Sequence, residues 1–392
     1  MASVILDATR TAIGSFGGSL KGIHAPDLAA HCIKTLLDRD GIDPASVDDV
    51  IMGIVVPAGV GQIPSRQAAI RAGIPPEVPS FTVNKVCASG MYSVSLADLL
   101  IRMGECSLAV TGGMESMSRV PYASYKTRWG ARMGNDELVD LMVHDGLWCA
   151  FDDVHMANHG ETIAKEYGLT REQCDEYAAR SQQLAEQAMS AGRLKDEITP
   201  FPLPQRKGDP IMFDTDEQPR PGTTMEKLAK LRPVLGTTMI TAGNAPSVND
   251  GAGALIVCTE DKAKELGKAP LAYILGEAHV AMKPSHFPVA PAYATQKLLE
   301  KTGKKLSDIH VMEFNEAFAA VALACGKVLD WDLDKVNVNG GAIAFGHPIG
   351  MSGARVTMTL AYELKRRGGG LGIAAICSGS GQGDALLLEV PA

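Results

Sequence analysis

Val336-Asn337-Val338-Asn339-Gly340-Gly341-Ala342-Ile343-Ala344-Phe345-Gly346-His347-Pro348-Ile349-Gly350-Met351-Ser352-Gly353 sets a single histidine in a run of glycines. Val336–Val338 reads as a strand, Asn339–Gly353 as a glycine-rich turn, Ala354–Arg367 as a helix, and Gly372–Ile376 as a strand running into Cys377-Ser378-Gly379. An earlier segment has the same order. Phe81–Val86 reads as a strand, Cys87-Ala88-Ser89-Gly90 as a tight turn, Tyr92–Met103 as a helix, and Leu108–Val110 as a strand entering Gly112-Gly113. The two segments look like copies of one strand–turn–helix–strand unit. Cys87 and His347 then occupy equivalent helix entrances, and a pseudo-twofold axis would bring both turns to one site.

Outward from these units the alternation continues, which predicts an α/β fold. Val4–Leu6 reads as a strand, Pro26 to about Arg39 as a helix with Asp27 in its first turn, Val50–Val56 as a strand, and Ser65–Ala72 as a helix stopped by Gly73. Residues 119–249 differ, with a long polar helix at Arg171–Ala191 and a proline-rich run from Pro200 to Pro221. A structureless connection of that length is unusual, so this segment reads as an inserted loop domain. The expected division is 1–118 with 250–270, completed by the strand Ala252–Cys258, then 119–249 as the insertion, and 271–392 as the second half.

At 392 residues, 46% hydrophobic, the chain exceeds the size of a small binding module. Lys and Arg number 37 against 45 Asp and Glu, and the scattered basic residues leave no footprint for nucleic acid. Apolar runs such as Leu271–Leu275 and Leu371–Cys377 are too short to span a bilayer, and Met1–Ile13 lacks a secretory n-region and h-region; no membrane association and a cytoplasmic location are expected. Eight cysteines without a CxxC are expected to be free thiols.

Three positions carry nucleophile and base chemistry. Cys87 follows an apolar strand at a helix start, where free N–H groups and the helix dipole favour a thiolate. Cys377 ends a strand in a glycine loop, at the carboxyl edge where open α/β sheets place their sites. It opens no dinucleotide fingerprint, because Ala385–Val390 is strand-like. His347 sits where a ligand could approach closely. Asn315, after the apolar Ile309–Phe314, could cap a helix. His155 and His159 are four apart on a helix face, but no third ligand is nearby, and no metal is expected.

These residues together resemble the thiolase family, and most closely its short-chain acetyl-CoA C-acetyltransferases. The resemblance runs almost end to end, through Arg10–Phe16, Asn84–Gly90, Gly112–Ser118, Asn315–Phe318, Asn339–Arg355 and the Cys377 loop. It implies the thiolase fold of two similar halves and a reversible Claisen condensation of two acetyl-CoA to acetoacetyl-CoA and CoA. By the resemblance Cys87 is the acylated nucleophile, His347 its activator, and Cys377 the acid/base at carbon. Asn315 would hold a water that joins His347 at the enolate oxygen, and the N–H groups of Cys87 and Gly379 would form a second oxyanion pocket. Coenzyme A would run along the insertion, with Arg220 near its nucleotide, Lys227 adding positive potential, and His155, Met156 and Phe318 around the acyl and pantetheine end. No cofactor is implied, since coenzyme A thioesters are substrates. The family suggests a homo-oligomer, dimer or tetramer, with Arg119–Asp145 as a contact between dimers.

Two departures stand out. Where relatives commonly have Asn-Ala-Ser-Gly, this chain has Asn244-Ala245-Pro246-Ser247, so a serine contact to pantetheine is displaced to Ser247 or lost. Phe287-Pro288-Val289-Ala290-Pro291 replaces a Gly-Pro-x-Pro pattern. Competing readings are a 3-ketoacyl-CoA thiolase of broader chain length, a ketoacyl synthase, a cysteine hydrolase and a non-catalytic acyl-CoA-binding or lipid-binding relative. A binder needs none of Cys87, His347 and Cys377, and a hydrolase needs no second cysteine.

Overall fold

The computed structural model describes residues 3–392. The first half runs β1 (Ser3–Arg10), α1 (Ala25–Asp40), β2 (Asp49–Gly53), α2 (Pro64–Arg71), β3 (Ser80–Val83), α3 (Ser89–Met103) and β4 (Leu108–Ser116). Residues 117–248 follow, carrying α4 (Met156–Glu166) and α5 (Arg171–Ser190), and β5 (Asn249–Thr259) returns to the sheet. The second half runs β6 (Ala272–Ala281), α6 (Ala290–Thr302), β7 (Val311–Phe314), α7 (Ala319–Leu329), α8 (Ser352–Arg366), β8 (Gly370–Ser378) and β9 (Gln382–Val390).

Strand order in the first half is β1-β5-β4-β2-β3, with β2 parallel to both β4 and β3 and the other neighbours antiparallel. In the second it is β6-β9-β8-β7, with only β7 and β8 parallel. Val336 bridges Met312 in parallel, at the place β3 holds in the first half. The orders correspond element for element, as the repeat predicts. The halves join where Val4 and Ile5 pair with Tyr273 and Ala272. Val336–Val338 is not a full strand, because Asn337 has φ +48° and its own amide replaces the ladder, accepting from Phe314 N and donating to Phe314 O.

Alternate residues of each strand face opposite layers, and β4 and β5 are buried along their whole length. Ile51, Ala109 and Leu255 join α3 and α8 in one buried cluster with Ile376 and Leu386 of the second half. Val50, Val110 and Ile256 face α1 and α2 instead, while Ile373 and Leu387 face α6 and α7. The apolar stretch Val86–Met103, long enough by composition to cross a membrane, is therefore a core element.

Where α3 and α8 begin, the halves come to backbone contact. A Cβ on Gly353 would lie 2.4 Å from Met91 N, and one on Gly113 would lie 2.0 Å from Gly350 O. Only glycine admits that approach. The turns before the two helices, carrying Cys87 and His347, are thus pressed together. Their equivalence is looser than the repeat suggests: with Ser89-Gly90 matched to Ser352-Gly353, Cys87 falls opposite Gly350.

Candidate active site

Cys87 stands on a strained elbow between β3 and α3. Asn84 Oδ1 accepts from Val86 N at 3.0 Å, Ser89 Oγ accepts from Lys85 N at 2.8 Å, and Val86 is left at φ +47°. That conformation costs a β-branched residue about 1–3 kcal/mol. The expected thiolate is not found. Burial pushes the Cys87 thiol up to about 12 and outweighs the N–H groups of Gly379 and Cys87, which pull it down. The helix entrance fails to compensate because the N–H groups of Ala88 and Ser89 are spent on Lys85 O and Val86 O. Cys87 rests as a thiol.

His347 is buried, and desolvation lowers its pKa to about 3, so the imidazole is neutral. Its tautomer follows from Ser352, whose Oγ donates to Pro348 O at 2.8 Å and therefore accepts from Nδ1 at 2.6 Å. Nε2 is left with its lone pair free to take a proton, 3.5 Å from Asn315 Nδ2. Asn249 Oδ1 accepts from His347 N at 3.0 Å and from Ser247 Oγ at 2.6 Å, while its Nδ2 donates to Gly14 O at 2.9 Å.

Cys377, the penultimate residue of β8, is fully buried, and its thiol is driven well above the ordinary range by desolvation and then by the proximity of Cys87. Ser378 Oγ donates to Lys85 O at 2.5 Å, tying the Cys377 loop to the Cys87 elbow. A Cβ on Gly379 would sit 3.4 Å from Val86 and 3.6 Å from Met156 Sδ, which places its N–H over the cysteine.

A cavity of about 210 Å³ opens onto these groups, and Cys87, His155, Met156, Ser247, Phe318, His347 and Gly379 are in its wall. Cys377 and Asn315 lie behind that wall, both buried. Asn315 caps no helix, since α7 begins at Ala319 with Phe318 in the cap position; its N–H continues the β7–β8 pairing by donating to Ala375 O at 2.9 Å. Asn315 Oδ1 is a buried acceptor with no protein donor. His155 caps α4, its Nδ1 accepting from Ala157 N at 3.1 Å, so the proton sits on Nε2. Ser247 reaches the cavity with its hydroxyl proton already given to Asn249. Arg220 and Lys227 are outside the wall, exposed on the segment that leads into Val234–Val248. A larger cavity, about 520 Å³ beside Tyr92, Arg102 and Glu277, contains none of these residues.

Sequence reasoning missed four supporting residues. Asn249 and Ser352 orient His347. Glu115 accepts from the N–H groups of Val55, Val56 and Gly350, holding the two halves' turns together. Glu316 accepts from Tyr177, Ser181, Asn337 and Ile343 N, fastening α5 to the glycine turn. Asn249, Ser352 and Glu115 stand in mixed polar and glycine stretches, where a polar side chain gives no sign of what it will hold.

Known proteins share this arrangement along the whole chain. Residues 3–261 match the family described as Thiolase, N-terminal domain, and residues 268–390 match Thiolase, C-terminal domain. A Pseudomonas aeruginosa protein named acetyl-CoA acetyltransferase is 52% identical over 386 residues, covering 98% of both chains. A protein of the same name from Cupriavidus necator is 49% identical with 98% of each covered. The crystal structure of the Bacillus anthracis acetyl-CoA acetyltransferase matches with a TM-score of 0.96 at 40% identity, over 99% of this chain and 98% of that one. Two halves with one strand order, two cysteines and a neutral histidine at their junction, and this end-to-end similarity mean that the chain belongs to the thiolase family.

Proposed function

We propose that the chain is an acyltransferase that joins two acetyl-CoA molecules into acetoacetyl-CoA and CoA, and cleaves acetoacetyl-CoA in reverse. The observation that carries this reading is a pair of thiols, Cys87 in the cavity wall and Cys377 buried behind it, beside a neutral imidazole with a free Nε2. Cys87 gives its proton to His347 Nε2 and attacks the thioester carbonyl. CoA leaves as a thiolate and takes the proton of Cys377, giving acetyl-Cys87, imidazolium and a Cys377 thiolate. Because its surroundings disfavour that charge, the Cys377 thiolate is a strong base. It removes a proton from the methyl of a second acetyl-CoA, and the carbanion attacks acetyl-Cys87. The departing Cys87 thiolate recovers its proton from His347. The N–H groups of Cys87 and Gly379 face one oxyanion, Nε2 and a water on Asn315 the other.

Coenzyme A enters over Val234–Val248, with Arg220 and Lys227 toward its phosphates; both are exposed cations on the segment leading into that part of the cavity wall, which supports this path. Eight free cysteines support a reducing, cytoplasmic setting. Trp129, Met133 and Leu138, exposed at 80%, 98% and 70%, support the 119–145 segment as a subunit contact in a homo-oligomer. Acetyl-CoA labelled in the acetyl group should transfer label to Cys87, and acetoacetyl-CoA should form. Cys87→Ala should lose both; label retained in that variant would overturn the assignment.

A further inference from the structure

The geometry points to a metal site: we propose that Cys149, Asp152 and His159 bind a zinc-class divalent cation beside the acyl cavity. His159 was paired by spacing with His155, but the structure separates them. His155 is in the cavity wall, whereas His159, inside α4, reaches the hairpin turn that carries Cys149 and Asp152. The Cys149, Asp152 and His159 ligand atoms all fall within 4.8 Å of one another. His159 Nε2 is 3.0 Å from Asp152 Oδ2, and Cys149 Sγ is 3.9 Å from the same oxygen. Tetrahedral zinc ligands stand about 3.3–3.6 Å apart, so a small adjustment brings all three to bonding distance.

Two further observations favour a ligand over an ordinary turn. His159 is 3% exposed, yet its Nδ1 has no hydrogen-bond partner and its Nε2 has only the Asp152 carboxylate, at 3.0 Å. A buried imidazole nitrogen left unpaired is unusual. The turn itself is held without these side chains, by Asp153 N donating to Cys149 O at 2.9 Å and Trp148 Nε1 donating to Asp153 Oδ1 at 2.8 Å. One sulfur, one imidazole and one carboxylate form a donor set that suits zinc, and Asp152, 47% exposed, leaves a fourth position to water. The ion would pin the hairpin to α4, and with it Leu147, His155 and Met156 of the cavity wall.

Chelator-treated full-length protein is titrated with Zn2+ alone and counted by elemental analysis after dialysis, then reloaded with Co2+ for a thiolate-to-metal absorption band. One equivalent should bind, the band should appear, and both should persist in Cys87→Ala. Cys149→Ser and His159→Gln should weaken binding by about 100-fold or more. Asp152→Asn, on a partly exposed side chain, should weaken it too and decides the matter if the buried variants misfold. Failure to bind one equivalent, or binding indifferent to all three substitutions, would overturn the site.

Discussion

Cys87 and Cys377 are both thiols at rest, and they differ in what they face: Cys87 is in the cavity wall and Cys377 behind it. Cys377→Ala should therefore still accept acetyl on Cys87 while condensation falls by about 10²–10⁴-fold, the usual loss on removing a general base. Equal loss of both half-reactions, measured by label transfer and product formation, would make Cys377 structural. His155 bears on chain length. Its half-buried imidazole, fixed by Ala157 N, closes the wall next to Met156, and each methylene refused costs about 1–3 kcal/mol. kcat/KM for thiolysis should drop steeply from acetoacetyl-CoA to 3-ketohexanoyl- and 3-ketooctanoyl-CoA, and His155→Ala should flatten the drop. Activity that holds or rises with length in the unaltered enzyme would refute this. Cys87, His347 and Cys377 were legible because each interrupts an apolar or glycine pattern. The resting thiol was not legible, since desolvation depends on how two distant turns close over it.

At the scale of elements, strand and helix order was readable, and ends were less so. Phe81–Val86 was read as one strand, but β3 stops at Val83, because the Asn84 and Ser89 side chains capture Val86 N and Lys85 N and bend the chain into the elbow. Asn337 does the same beside β7. Side chains that imitate backbone partners leave no periodic trace. Glu115 shows the same effect inside β4, where its carboxylate joins the 55–56 loop to Gly350. Burial raises its pKa to about 7 despite three backbone donors. The folded state thus keeps a proton that the unfolded chain releases near pH 4.5. That contribution to stability is full below about pH 4.5 and is lost as pH rises through 7. Glu115→Gln does not titrate. From pH 5 to pH 8 the stability advantage of the unaltered protein over this variant should shrink by about 2–3 kcal/mol, at 1.4 kcal/mol per unit. Urea unfolding at both pH values measures it, and a constant difference would mean that Glu115 is ionised throughout.

On the scale of the whole molecule, the repeat was visible, but the fastening of the segment between β4 and β5 to the halves was not. Arg10, the last residue of β1, is fully buried and reaches across to that segment. Its guanidinium contacts Asp216 with both terminal nitrogens, at 2.7 and 2.9 Å, and Glu197 through Nε at 2.8 Å. Asp216 also accepts from Ile13 N, and Glu197 from Thr359 of α8, so one cation joins β1, the intervening segment and the helix behind His347. A sequence shows an arginine after a strand but not the two carboxylates, 187 and 206 positions away, that make it a core residue. Replacing one partner of such a group leaves uncompensated buried charge and costs about 3–5 kcal/mol, whereas removing all the charges together can be nearly neutral. Arg10→Met should therefore lower unfolding stability by that amount in urea. Adding Glu197→Gln and Asp216→Asn to it should restore much of the loss, because the stranded carboxylates are gone. If the triple variant is as unstable as Arg10→Met, the arginine contributes through packing and its donors, and the charge balance across the halves is not what holds the segment in place.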